Sequence, residues 1–245
     1  MTDNGRVGEC FVCGESLTYD EMGDHLTSCL EDAPIPSSRK TPSRGYLVGA
    51  RDDNRTDFWT YFLIPRSEQL VDLDQFLRET WVDCCGHLTA FRIKGQRFES
   101  HGGSSGPAHG TPTGSLAPKL FALLDDGEEF SFEYDFNRPT ELSLKMIEEC
   151  PYPDVEEFDD EHKIAWGKAL MVAQNDDPEW TCSECGDEAE WVCRECGIED
   201  GGVLCEECAR EHDHDDEAFL PKANSPRVGM CRFGETRGGL AEAAS

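Results

Sequence analysis

The chain has 245 residues, with 22 Lys and Arg against 51 Asp and Glu, a formal net charge of −29 and 38% hydrophobic residues. That length suits one medium domain with satellites, or two small domains. The composition argues against a membrane protein, since no apolar run approaches the roughly 20 residues of a span. It argues against a secreted one too, because the start MTDNGRVGEC lacks the basic and apolar regions of a signal peptide. Non-specific wrapping of nucleic acid needs dense Lys and Arg, which are scarce here. The expected location is cytoplasmic.

In chain order, residues 1–30 carry a compact Cys/His module, and 31–43 (EDAPIPSSRKTPS) read as a linker rich in Pro and Ser. A globular stretch follows over 44–150. Tyr46–Ala50 and Asp57–Ile64 are rich in β-branched and aromatic residues and predict strands. Leu70, Leu73, Leu77 and Trp81 recur at helical spacing, so Ser67–Trp81 predicts a helix capped by Ser67. Leu88–Lys94 is a further strand. Residues 100–115 form a loop without the GK[ST] ending of a phosphate loop. Leu116–Leu124 predicts a short helix. Glu129–Phe136 alternates aromatic and polar residues, and with Glu141–Ile147 it predicts an antiparallel strand pair. Residues 151–179 read as an acidic connector in which His162–Ala173 is helical. Residues 180–234 form a second Cys/His module, and 235–245 a tail. The predicted class is α+β.

Thirteen Cys in a chain with no export signal, many of them in CxxC pairs, point to zinc rather than disulfides. Near the start the spacing is Cys10-x2-Cys13-x11-His25-x3-Cys29. A CxxC turn presents two thiolates, and a His and Cys four apart on a helix present two more from one face. The second module runs Cys182-x2-Cys185-x7-Cys193-x2-Cys196-x8-Cys205-x2-Cys208-x3-His212-x1-His214. Eight ligands make two tetrahedral sites, and an interleaved arrangement closes a small fold without a large core. One site takes Cys182, Cys185, Cys205 and Cys208. The other takes Cys193, Cys196 and His212, with His214 as fourth ligand and Cys231 as its rival. About three zinc ions per chain are expected. With all four positions filled, no site keeps room for a catalytic water. Trp180 and Trp191 flank these ligands and are expected to pack the small core.

Two of these strings resemble known modules. CFVCGESLTYDEMGDHLTSCL resembles the Cys-Cys-His-Cys fingers of DNA-repair proteins, which bind ubiquitin. The base-reading positions of a DNA-binding finger would fall on Thr18, Glu21 and Asp24, and acid there repels phosphate. A protein-interaction role is the inference. The ligand order of the C-terminal module resembles a B-box finger, also an interaction module. In between, YLVGARDDNRTDFWTYFLIP, WVDCCGHLTAFRI and EFSFEYDFNRPTELSLKMI resemble the plasmid pRiA4b Orf-3-like domain over residues 44–150, with Asn137 standing where that family has Gly. The resemblance implies an α+β roll and a mobile-element context, with no established reaction. The expected architecture is then a central α-β roll flanked by small zinc-stabilised modules.

No catalytic set assembles from the sequence. Ser67 has only Arg66 and Arg78 nearby, too few cations for a serine recombinase. Asp154, Glu161 and Lys163 mimic a nuclease signature at too short a gap. Cys84 and Cys85 beside His87 could make an activated thiolate, but two buried thiols at a helix end read more simply. Glu133 and Asp135 share one strand face, as solvated pairs routinely do. The favoured reading is a non-enzymatic zinc protein acting as an interaction or scaffold surface. The alternatives are a nucleic-acid accessory factor of a mobile element, carried by the basic tail residues Lys222, Arg227, Arg232 and Arg237, and a cysteine-dependent enzyme. Residues 148–217 hold 25 acidic and 4 basic side chains. They favour a basic protein partner and disfavour nucleic acid, while a salt-rich cytoplasm would account for the same acidity.

Overall fold

The computed structural model describes residues 6–32, 43–100, 116–152, 165–166 and 169–234. The loop read at 100–115, apart from its first residue, lies outside them, as do the linker over 33–42, the tail over 235–245 and residues 153–164 and 167–168 of the connector. The chain divides into two compact units. One comprises Met1–Thr80 and His87–Asp176, and the other Trp81–Gly86 and Asp177–Ser245.

In the first unit, ten described strands form one sheet. They are β1 (Val7–Cys10), β2 (Ser16–Thr18), β3 (Ser43–Asp52), β4 (Trp59–Pro65), β5 (Thr89–Ile93), β6 (Gln96–Glu99), β7 (Glu129–Tyr134), β8 (Thr140–Tyr152), β9 (Ala165–Trp166) and β10 (Ala169–Asn175). Their order is β2-β1-β10-β4-β3-β8-β7-β5-β6, with β9 on β10. Every pairing is antiparallel. Strand β8 turns Leu142, Leu144 and Met146 inward and Glu141, Ser143 and Lys145 outward, the alternation of a sheet with one wet face. Strand β4 is buried along its whole length, as its unbroken apolar run WTYFLIP requires. Helices and a large antiparallel sheet make the class α+β.

Helix α1 is Tyr19–Asp32 and helix α2 is Leu70–Leu77. In α2, Leu70, Leu73, Phe76 and Leu77 are buried on one stripe, and Phe76 meets Phe62 of β4 at 4.6 Å between ring centroids. This helix is shorter than the periodicity predicts. It starts after Gln69 rather than Ser67, because the Asp72 carboxylate accepts the Gln69 N–H at 2.7 Å. Beyond it the chain continues as a five-residue π-helix, Arg78–Val82. The predicted helix Leu116–Leu124 reduces to one 3-10 turn, Leu120–Ala122.

Two expectations change. Ala169–Asn175 is a strand, not part of a helix. Its run ALMVAQN has no amphipathic period, and it lies between β1 and β4, where a strand satisfies its backbone groups on both edges. Ala165–Trp166, also within the predicted helix, is strand β9, and its residues 162–164 and 167–168 lie outside the described residues. The N-terminal finger also belongs to the sheet of the first unit. Gly8 pairs with Asn175 and Cys10 with Ala173. Met22, Leu26 and Leu30 of α1 are buried in one cluster with Trp59, Tyr61 and Leu63. Gly8 permits this pairing: a Cβ there would stand 2.1 Å from the Gln174 carbonyl oxygen.

The described residues of the second unit form a three-stranded sheet in the order β12-β11-β13, where β11 is Trp191–Cys193, β12 Val203–Leu204 and β13 Phe219–Pro221, with a short α-helix, α3, Glu206–Glu211. Its core is small: Ala189, Trp191, Val203, Leu204, Ala209, Ala218 and Phe219, with Cys182 and Cys193. Trp191 sits within this cluster, and the half-buried Trp180 packs against it. Among the described residues, no helix is long and apolar enough to cross a membrane.

Candidate metal centres

Three groups of four ligands converge, and within each the ligand atoms lie within 4.8 Å of one another. They are Cys10, Cys13, His25 and Cys29; Cys182, Cys185, Cys205 and Cys208; and Cys193, Cys196, His212 and His214. A tetrahedral metal with bonds to sulfur of about 2.3 Å sets S···S edges of about 3.8 Å, and slightly less to nitrogen. The observed edges match: 4.0 Å for Cys10–Cys29, 3.7 Å for Cys185–Cys205, 3.3 Å for Cys13 Sγ–His25 Nε2, 3.3 Å for Cys196 Sγ–His212 Nε2, and 3.3 Å for Cys193 Sγ–His214 Nδ1. His214 therefore stands with Cys193 and Cys196, and Cys231 does not complete this group.

Local backbone geometry builds these sites. In three of the four CxxC pairs the next residue is Gly, and its N–H closes back on the first Cys carbonyl: Gly14 to Cys10 at 2.7 Å, Gly186 to Cys182 at 3.0 Å and Gly197 to Cys193 at 2.8 Å. The three glycines have φ of 78°, 85° and 72°, a left-handed conformation that side chains oppose and Gly tolerates. Each turn thus aims two thiols to one side. The fourth pair makes the same bond, Ala209 N–H to the Cys205 carbonyl at 2.9 Å, but the chain continues as α3. On that helix Cys208 faces one ligand group, and His212, at its C-terminal end, supplies the other. The recurring CxxCG string is a signal in the sequence that the spacing of cysteines alone does not use.

Two of the three histidines have a carboxylate behind them. His25 turns Nε2 toward Cys13 and has Glu15 Oε2 3.3 Å from Nδ1. His212 turns Nε2 toward Cys196 and has Glu184 Oε1 3.5 Å from Nδ1. Such a partner fixes ring orientation and strengthens a metal-bound imidazole. The sulfurs are crowded. Burial and the neighbouring Cys10 and Cys13 push the Cys29 thiol up to about 12. Cys182 goes the other way: against burial, the backbone N–H groups of Cys185, Cys205 and Glu184 bring it down to about 6. Thiols held protonated by their neighbours must release protons when a cation binds, so metal binding at these groups is coupled to pH.

A further thiol cluster has no CxxC spacing to announce it. Cys84, Cys85 and Cys231, all in the second unit, bring their sulfurs within 4.8 Å of one another. Elsewhere, Cys150 is buried in the core of the first unit. His87 Nε2 lies 3.5 Å from the buried Asp135 carboxylate, and its ring meets Tyr134 edge-on. Asp135 has φ of 67°, which takes it out of the regular strand alternation, so it does not share a face with Glu133 as a simple strand would place it. Glu133 instead pairs with Arg97 at 3.0 Å.

The base-reading positions of the finger have other work. Thr18 precedes α1 and is tied to Glu21 in its first turn, whose Oε2 accepts the Thr18 N–H at 3.1 Å and hydroxyl at 2.6 Å. Of the tail cations, Lys222 pairs with Glu188 at 2.9 Å and Arg227 is wholly buried. Arg237 lies outside the described residues. In the second unit a cleft of about 540 Å³ is lined by Asp177, Glu179, Trp180, Asp187, Glu188 and Lys222, among others.

Together these define an α+β protein with Cys/His clusters able to bind metal ions. No family model matches the chain, and no curated protein matches its sequence. Among solved structures, the chain is similar to a protein of unknown function from Methanosarcina mazei Go1, at 20% identity and a TM-score of 0.37, over 49% of this chain and 68% of that one.

Proposed function

We propose that the chain is a zinc-stabilised interaction protein with no chemistry of its own, whose acidic C-terminal module takes a basic partner. The observation that carries this reading is the completeness of the three ligand groups. Each offers four N/S donors, the number a structural zinc uses, where a catalytic zinc keeps one position for water. In the second unit, zinc would take the place of the large core that this small fold lacks. The donor set, thiolate with imidazole and no carboxylate, suits zinc over calcium or magnesium.

The cleft beside Trp180 supports the basic partner. Four carboxylates, Asp177, Glu179, Asp187 and Glu188, surround one aromatic side chain and a single Lys. That is chemistry for an arginine or lysine side chain, held by charge and by the ring face. A nucleic-acid role, which the resemblance to the pRiA4b Orf-3-like family would suggest, has less support. Of its four tail cations, Lys222 pairs with the exposed Glu188 at the acidic cleft and Arg227 is buried beside Cys84.

The test is calorimetric titration of the zinc-loaded full chain with an arginine-rich peptide, from low to high salt. Binding is expected that weakens as salt rises and falls in a Glu179→Gln/Asp187→Asn variant. Absence of binding at low salt, or binding indifferent to both changes, would sink the reading.

A further inference from the structure

We infer that Cys84, Cys85 and Cys231 form a fourth metal site, three thiolates around a soft divalent ion, inside the second unit. It goes beyond the three groups above and does not depend on them.

The first observation is convergence without a bond. Cys84 and Cys85 are adjacent in sequence, yet their sulfurs stand 3.7 Å apart, far from the roughly 2.05 Å of a disulfide and close to the edge of a metal–thiolate polyhedron. Cys231 reaches the same point from the far end of the chain. It does so with φ of 52°, a left-handed conformation that a residue with a Cβ adopts only at a cost. The backbone outlier thus falls on the residue that closes the cluster.

The second observation is Arg227. Its side chain is 0% exposed, and one guanidinium nitrogen donates to Cys84 Sγ at 3.3 Å and to Cys231 Sγ at 3.6 Å. Arginine keeps its proton in proteins, and a buried cation is stable beside anions. Neutral thiols are poor acceptors, whereas thiolates are good ones. Three thiolates around a divalent ion sum to −1, and Arg227 restores neutrality. The same segment is fixed from the other side: the Ser225 hydroxyl donates to the Trp81 carbonyl at 2.5 Å and accepts the Arg227 N–H at 2.9 Å. These bonds hold residues 225–231 against 81–85 before any ion arrives. Cys85 is exposed, which gives the ion a way in.

The test uses the full chain purified under reducing conditions, with zinc as the only added metal, and counts bound ions by native mass spectrometry. Four ions are expected in the wild type and three in Cys231→Ser and in Cys84→Ser/Cys85→Ser. Three in the wild type, unchanged by these substitutions, would overturn the inference while leaving the zinc-stabilised reading intact. One or none would fell both. If the variants fail to fold, alkylation of the wild type decides: zinc should shield Cys84, Cys85 and Cys231 from iodoacetamide, and labelling of all three with zinc bound overturns the site.

Discussion

The Tyr61 hydroxyl donates a hydrogen bond to the Tyr19 carbonyl at 2.8 Å, and the two rings stack with centroids 5.1 Å apart. Tyr61 lies on β4 and Tyr19 opens α1, so this pair fastens the finger to the sheet within the first unit. Burial pushes the Tyr61 hydroxyl up, which keeps it a donor at any physiological pH. Tyr61→Phe keeps the ring packing and deletes the bond. A loss of about 1 kcal/mol is expected in denaturant unfolding, with the zinc content unchanged. An unaltered midpoint would show that the bond adds nothing.

Gly8→Ala tests the pairing of β1 with β10. The added Cβ would meet the Gln174 carbonyl oxygen at 2.1 Å and the Asn175 Cα at 2.5 Å. Both are backbone atoms that cannot rotate aside, so overpacking of about 1–3 kcal/mol or more is expected. Hydrogen exchange should show new opening at residues 8–10 and 173–175. Full protection there would mean that the strands are not paired as described.

Glu149 carries a pH dependence. It accepts from Arg44 and Arg66, each at 2.8 Å, and the bond from Arg44 foremost, helped by that from Arg66, holds its carboxyl below the usual range although burial pushes it up. A carboxylate with a lowered folded pKa stabilises fully above its unfolded pKa and loses that contribution as pH falls through the folded value. Wild type should therefore exceed Glu149→Gln at neutral pH by less than about 1 kcal/mol. The gap should close on acidification below about pH 4 and shrink with salt. A gap that widens in acid would contradict the assignment.

Glu184→Gln tests the carboxylate behind His212. Losing such a partner weakens metal binding by about 10- to 100-fold. The exposure of Glu184 places the expected effect near ten-fold, read by competition with a chromophoric chelator. An unchanged affinity would remove Glu184 from the site.

Much of this molecule was legible beforehand, for physical reasons that differ by element. The twelve clustered ligands announce themselves because zinc geometry ties ligand spacing to short turns and to one helix face. Strands β7 and β8 follow from strict alternation. Strand β10 did not, because a run buried on both of its faces loses the alternation that marks a half-buried strand. The docking of the finger rests on pairing between Cys10 and Ala173, far apart in sequence, and no local pattern encodes it. Cys84, Cys85 and Cys231 have no ligand spacing either. Their relationship is tertiary, and Arg227, a residue type expected at the surface, is wholly buried beside them.

Native mass spectrometry of the full chain, purified without added metal, tests the central claim most directly. Bound zinc and disulfides change the mass in opposite directions, so one spectrum reads both. At least three zinc ions per chain, each displacing protons, with no mass deficit for disulfides, is the predicted result. One ion or none, with a deficit of two hydrogens for each oxidised cysteine pair, would contradict it.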